Sequence, residues 1–165
     1  FTDNQIQQYL QLKQARNPRF DYAKALKNYP ELKAIITTPL LLSMVVELLP
    51  HDASNQMLSR YAVYAFFMKR TYALTQKRLM QSVGIPPGVR NIQAAFERYA
   101  QQLAYAFLVK EQTISITDAH FFAQDIDTEQ ARRACPIAVH DQTVVFRHMT
   151  YAEFYAANYI VEHVL

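Results

Sequence analysis

Glycine scarcity is the feature of this sequence that most restricts its fold. The chain has 165 residues and only two glycines, Gly84 and Gly88, where an average composition of about 7% would place roughly a dozen. Tight turns and phosphate-binding loops use glycine because it adopts left-handed backbone angles without steric cost. A chain with so few glycines has little means of building many hairpins or a glycine-rich loop. We therefore expect a mainly α-helical protein.

The composition excludes several other classes of protein. Apolar residues make up 51% of the chain, which supports a real core and excludes intrinsic disorder. The longest apolar run, 40–49, is interrupted by Ser43 and Glu47 and is shorter than the ~20 residues of a membrane span. One cysteine, Cys135, cannot form an internal disulfide and fits a reducing compartment, as an inert thiol. We expect a cytoplasmic protein with no membrane contact.

The first fifty residues predict four helices. Thr2 is a suitable N-cap for a helix over about 3–15, and a second short helix follows. Pro30 opens a third helix, since proline is favoured in the first turn. Thr38 and Pro39 repeat this signal as N-cap and first helical residue, ahead of a helix that is apolar nearly all round. That helix should therefore be buried.

A polar stretch that starts at His51 predicts a domain boundary, with a first helical domain over 1–52 and a second domain over 53–165. The second domain is predicted to begin with a helix over about 58–80, a turn over 84–88 and a helix over about 92–107. A strand over 113–116, a helix over about 117–124, a helix capped by Thr128 that runs to about 134, a hairpin over 137–147 and a last helix should follow. Thr150 and Glu153 predict a capping box for that last helix. This order is typical of a winged helix. The predicted fold is mainly α, a small helical bundle followed by a winged-helix domain with a short β-hairpin.

Several kinds of active site have no candidate residues here. The two glycines are four apart and flank two prolines, so the chain contains no P-loop. The five histidines include no pair at the i, i+4 spacing that places two metal ligands on one helix face. No serine lies in a G-x-S-x-G motif, and Cys135 has no evident base beside it. We expect no metal site, no catalytic residue and no enzymatic activity in this chain alone.

Three segments resemble one known family. The string Phe146-Arg-His-Met-Thr-Tyr-Ala-Glu-Phe-Tyr-Ala-Ala-Asn-Tyr-Ile160 closely resembles the end of the winged-helix domain of NACHT-type NTPases of the STAND class, whose pattern is F-x-H-x-[ST]-x-x-E-[FY]-[FY]-A-A-x-Y. The segment Thr38-Pro39-Leu-Leu-Leu-Ser43 is similar to the N-P-L-L-L segment of the same family. Phe1-Thr-Asp-Asn-Gln-Ile-Gln-Gln-Tyr-Leu10 is similar to the stretch after the last strand of its nucleotide-binding core. All three occur in family order.

The resemblance implies a regulatory lid over ADP or ATP, which a P-loop domain upstream in the same chain would hold. It implies that Pro39 packs on the adenine and that His148 reaches the β-phosphate of ADP. Thr38, where the family commonly has Asn or Gly, completes the candidate nucleotide-binding residues. The complete protein would be a slow ATPase that acts as a switch in signalling or defence and forms a homo-oligomer on activation. The chain begins at Phe1 without methionine, and we expect it to be part of a longer protein.

Simpler interpretations remain open at each position. Thr38, Pro39 and His148 could serve only as helix caps and a strand end. A rival function is a free-standing winged-helix DNA-binding protein, in which Arg132 and Arg133 would lie on the recognition helix. The net charge of +3 and the scattered basic residues do not lead us to expect nucleic-acid binding. A third alternative is a scaffold with a degenerate nucleotide site.

Overall fold

The computed structural model describes residues 2–51, 59–83 and 92–165, and this part of the chain is mainly helical with one two-stranded antiparallel sheet. The predicted fold class is confirmed at this level. The chain divides into two compact units, unit 1 over Phe1–Met68 and unit 2 over Lys69–Leu165. The domain boundary predicted between residues 52 and 53 and the turn predicted over 84–88 lie outside the described residues.

Unit 1 contains the four helices that the first fifty residues predict. They are α1 (Asp3–Arg16), α2 (Tyr22–Lys27), α3 (Pro30–Ile35) and α4 (Pro39–Leu48), followed by a single 3-10 turn (Leu49–His51). Local capping explains where α1 and α2 begin. The Gln5 N–H donates to Thr2 Oγ1 at 3.3 Å and the Thr2 N–H donates to Gln5 Oε1 at 2.9 Å, which is a capping box. Asp21 Oδ1 accepts from the Lys24 N–H at 2.9 Å and caps α2.

Helix α4 is the central element of the core of unit 1, as its apolar sequence predicts. Most of its side chains are buried, namely Leu41, Leu42, Met44, Val45, Val46 and Leu48. Other helices of the unit add Ile6, Leu10, Tyr22, Leu26 and Leu32. Burial of apolar area at about 25 cal/mol per Å² is the main stabilising contribution for such a unit. The beginning of α4, with Thr38 and Pro39, is therefore attached to the best packed helix of unit 1.

Unit 2 is built around helix α6, whose apolar residues have the regular spacing noted in the sequence. Its elements are the second part of α5 (Arg60–Val83), α6 (Ile92–Leu108), α7 (Ile126–Ala134), β1 (Ile137–His140), β2 (Thr143–Phe146) and α8 (Met149–His163). Helix α6 packs along both α7 and α8. Its buried side chains include Phe96 and Leu103. This arrangement packs α8 against α6 within unit 2.

The predicted hairpin is confirmed, and its turn follows from two residues with positive φ. Ile137 pairs with Phe146 and His140 pairs with Thr143 across the antiparallel strands. Asp141 and Gln142 join them with φ of 47° and 64°. Two left-handed residues in succession match the right-handed twist of the strands. The chain thus makes this turn without glycine, at a modest conformational cost.

Two elements predicted before α7 are not observed. Instead of a strand over 113–116, a single bridge joins Ser115 to Thr143, because the chain turns away at once and the Thr117 N–H donates to Ser115 Oγ at 3.1 Å. Instead of a helix over 117–124, the chain forms turns. Asp118 Oδ1 accepts from the His120 N–H at 2.9 Å. Such side-chain bonds compete with the helical backbone pattern.

Helix α7 begins earlier than predicted. Its N-cap is Asp125, whose Oδ1 accepts from the Thr128 N–H at 2.8 Å, so the prediction that Thr128 caps the helix is wrong. Aspartate is intrinsically a somewhat better N-cap than threonine, which agrees with the observed start at Asp125. The hydrogen bonds from Thr128 hold the pKa of the exposed Asp125 carboxyl below its ordinary value. The predicted end at Ala134 is confirmed.

Burial makes Cys135 an unreactive thiol, and this gives the first testable expectation. The residue follows α7 and is buried, and desolvation raises the pKa of its thiol, so it stays neutral at physiological pH. Ellman's reagent should modify it at least ~100-fold more slowly in the native chain than in urea, because reaction requires the unit to open. Equal rates in the two conditions would contradict the buried position.

Among the described residues, no helix is both long enough and apolar enough to cross a membrane.

Candidate nucleotide-contacting residues

Thr38 and Pro39 form the start of α4, as predicted. Thr38 has extended backbone angles, and its Oγ1 accepts from the Leu41 N–H at 3.3 Å. Pro39 is the first helical residue and is exposed. Proline has no N–H to satisfy in this first turn, so its ring faces solvent at no cost in hydrogen bonds. The exposed Pro39 ring is an apolar surface, and the buried helix α4 holds it in place.

His148 is the N-cap of α8, and the capping box predicted at Thr150 and Glu153 is wrong. The helix begins at Met149, so Thr150 is already its second residue. The Thr150 N–H donates to His148 Nδ1 at 3.3 Å, and Thr150 Oγ1 lies 2.7 Å from the same nitrogen. The imidazole therefore occupies the N-terminal position that sequence reasoning assigned to the threonine hydroxyl.

This capping geometry determines what the other ring nitrogen of His148 can do. A neutral imidazole has one donor and one acceptor nitrogen. In the tautomer in which Nδ1 accepts from the Thr150 N–H, the proton of the neutral ring is on Nε2. The side chain is half-buried. His148 thus combines a ring N–H donor with the positive end of the α8 dipole, and both favour an anion.

Tyr151 and Arg147 are neighbours of His148, and their side chains are placed differently. The ring of Tyr151 lies edge-on, with centroids 6.4 Å apart. The side chain of Arg147, considered as a second anion contact, is exposed, and its Nε donates to the Ile137 carbonyl oxygen at 2.9 Å. This bond directs Arg147 toward the first strand of the hairpin. The structure brings His148 together with Thr150 in unit 2, and Thr38 with Pro39 in unit 1.

The two arginines of α7 both have contacts within unit 2. Arg133 Nη2 pairs with Glu129 Oε1 at 2.5 Å, one turn back along the helix. The Arg132 guanidinium lies over the Phe122 ring, 4.8 Å from its centroid. Arg132 is half-buried, and its Nη1 is buried without a hydrogen-bond partner in the described part of the chain. Both arginine side chains therefore already contact other groups of unit 2.

A buried pair of tyrosines is a feature that sequence reasoning missed. The hydroxyls of Tyr72 on α5 and Tyr155 on α8 hydrogen-bond to each other in the core of unit 2. Burial raises the pKa of both phenols, so they remain neutral. Helical spacing predicts a packing role for Tyr151, Tyr155 and Tyr159, and the first two are buried. No signal in the sequence pairs Tyr155 with a residue so far away.

Other features of the described residues lie apart from these positions. In unit 1, a groove of about 410 Å³ is lined by Gln7, Leu10, Gln11, Gln14, Pro18, Arg19, Asp21 and Ala23, and neither Thr38 nor Pro39 lines it. A search over the same part of the chain finds no group of three acidic, His or Cys side chains that could hold a metal ion.

Comparison with protein-family models, with curated proteins and with solved structures finds no match to this chain.

Proposed function

We propose that this chain is the regulatory lid of a NACHT-type NTPase of the STAND class. It would close over ADP or ATP bound by an upstream P-loop domain of the same protein and relay the state of the nucleotide to oligomerisation or signalling. The sequence resemblance described above, in three segments and in family order, is the starting point of the proposal. In this proposal the first helical domain and a winged-helix domain together form the lid.

The order of elements in unit 2 supports a winged helix. Helix α6 is followed by a short bridging segment, α7, the hairpin and α8. The segment before α7 joins the hairpin at one bridge, where the Val144 N–H donates to the Ile114 carbonyl at 2.8 Å and the Ile116 N–H donates to the Gln142 carbonyl at 3.0 Å. A winged helix has a hairpin, its wing, after its helices, and unit 2 has this part of the order. The helix predicted over 117–124, which would precede α7 in that order, is replaced by turns.

The single observation that carries the function is the position of His148 as N-cap of α8. Its Nδ1 is engaged by Thr150, and Nε2–H is left as a donor. A phosphate oxygen of ADP would accept from Nε2 while the dipole of α8 favours its charge. The exposed ring of Pro39 would offer an apolar surface to the adenine.

Replacement of His148 by asparagine tests this function in the complete protein. Asparagine is an excellent N-cap, so α8 should still form, but its shorter side chain does not reach as far as Nε2. A hydrogen bond to a charged group contributes about 1.5–3 kcal/mol. We therefore expect ADP release about tenfold to a hundredfold faster in His148→Asn, measured with a fluorescent ADP analogue in stopped flow.

Three further variants make the result specific. His148→Ala should release ADP as fast and also lose about 1 kcal/mol of stability with its cap. His140→Ala removes an exposed histidine of the same hairpin and should change neither quantity. Pro39→Ala should weaken ADP and ATP about equally, since adenine is common to both. An unchanged ADP release rate in His148→Asn would return His148 to a capping role alone.

The rival function, DNA binding, has a separate test. The contacts of Arg132 with Phe122 and of Arg133 with Glu129 favour structural roles for both arginines. A protein that neutralises few phosphates loses its affinity for DNA at modest salt. Sequence-specific binding that survives physiological salt and is lost in Arg133→Ala would support the rival. A G-x-x-x-x-G-K-[ST] motif about 150–200 residues before Phe1 would support the NTPase.

A further inference from the structure

The buried tyrosine pair joins two helices of unit 2 at a polar contact. Tyr72 on α5 is 2% exposed, Tyr155 on α8 is 1% exposed, and their hydroxyls bond directly. Phe96 of α6 packs on Tyr72 with ring centroids 5.5 Å apart. A buried hydroxyl is costly unless it is hydrogen-bonded. The bond between the two hydroxyls therefore offsets part of this cost inside a core made mainly of apolar side chains.

Such a pair restricts how α8 can lie against α5. A shift of one residue along a helix turns its contact face by about 100°, and a shift of one turn moves it by about 5.4 Å. Apolar side chains can find new neighbours after such a shift. The two hydroxyls would lose their bond after such a shift, because a hydrogen bond is lost when its two heavy atoms move apart by more than a few tenths of an ångström. In some coiled coils a single buried polar residue specifies helix register.

His148 is connected to this pair through α8. Tyr155 follows His148 by seven residues, which is about two turns, so the two positions lie on nearly the same face of the helix and about 10.5 Å apart. The helix between them is continuous from Met149 onward. The rotation and translation of α8 at Tyr155 therefore also determine where its N-cap lies.

We propose that the Tyr72–Tyr155 pair is a register lock for α8 that makes both tyrosines positioning residues for His148. The lock admits one placement of the helix, and in that placement His148 Nδ1 accepts from Thr150 and Nε2–H is available as a donor. Its nucleotide-related part rests on the proposed function of His148. The register-setting part stands on the contacts within unit 2 alone.

A double-mutant cycle tests the pairing. Tyr72→Phe and Tyr155→Phe each remove the buried hydrogen bond between the two hydroxyls, and each should lower the folding equilibrium constant about tenfold. The double variant removes both hydroxyls and keeps both rings, so it should lose clearly less than the product of the two single effects. Independent effects that simply multiply would overturn the lock.

The ring nitrogens of His148 provide a readout that a merely structural pair would not move. In protein labelled with ¹⁵N-histidine, the Nδ1 signal of His148 should shift or broaden in the double tyrosine variant, because α8 is no longer held in one register. Tyr99→Phe is the matched control. It removes a buried hydroxyl of α6 that donates to the Phe121 carbonyl at 3.1 Å, and should leave the His148 signal in place. An unmoved signal in the double variant would overturn the lock.

ADP release separates this inference from the proposed function. If both hold, His148→Asn and the double tyrosine variant both accelerate release, and Tyr99→Phe does not. If His148→Asn has no effect on ADP release, the proposed function fails. The double-mutant cycle and the Nδ1 signal of His148 then still decide whether the tyrosine pair is a register lock. If His148→Asn accelerates release and the double tyrosine variant does not, the positioning role is overturned and the proposed function stands.

Discussion

Phe96→Ala should destabilise unit 2 by about 3–5 kcal/mol, the range for removing a large aromatic side chain from a core. Phe96 is 1% exposed on α6, the helix that packs along α7 and α8, and its ring contacts Tyr72. The substitution leaves a cavity and also removes apolar support from beside the tyrosine pair. Urea unfolding followed by far-ultraviolet circular dichroism measures the loss.

The control for Phe96 is an apolar residue of the same unit on the surface. Val161 of α8 is 66% exposed, and Val161→Ala should change the free energy of unfolding by less than about 0.5 kcal/mol. A loss below about 1 kcal/mol for Phe96→Ala would contradict a tightly packed core around α6.

Leu42→Ala should destabilise unit 1 by about 2–5 kcal/mol. Leu42 is 1% exposed on α4, the helix that begins with Thr38 and Pro39. The chain supplies a matched leucine for comparison, since Leu12 of α1 is 67% exposed. Leu12→Ala should cost less than about 1 kcal/mol, because little apolar area is removed from contact there. The difference between the two variants in the free energy of unfolding, measured in urea, reports how deeply α4 is buried.

A similar loss for the two leucine variants would show that α4 is not the buried helix of unit 1. In the complete protein, Leu42→Ala should also weaken ADP and ATP to a similar degree. A loosened α4 no longer holds Pro39 firmly, and the adenine surface proposed for Pro39 is common to both nucleotides.

Several helix starts were predictable from signals that lie within a few residues of one another along the chain. The caps at Thr2 and Thr38, the proline of α3 and the regular spacing in α6 all describe contacts between near neighbours. The scarcity of glycine indicated a mainly helical fold for the same reason, because backbone angles are a local property. The position of Pro39 at a helix start was also available from sequence.

Competition between near-equivalent local partners was decided only by the folded chain. Thr150 and His148 could each cap α8, and Thr128 and Asp125 could each cap α7. At α8 the T-x-x-E pattern favoured Thr150, and the structure has His148. At α7 the prediction was Thr128, and the structure has Asp125, which is intrinsically the better cap. A single cap contributes only about 0.5–2 kcal/mol, so packing of the adjacent chain also decides where a helix begins.

By itself the sequence determined the helical class of this protein, the starts of α1, α3, α4 and α6, and the turn of its hairpin. Tertiary structure decided that 113–116 forms one bridge instead of a strand, that α6 lies between α7 and α8, and that Tyr72 meets Tyr155. The physical reason is range. Capping and helical spacing act over three or four residues, whereas burial and the pairing of hydroxyls 83 residues apart depend on where whole helices pack.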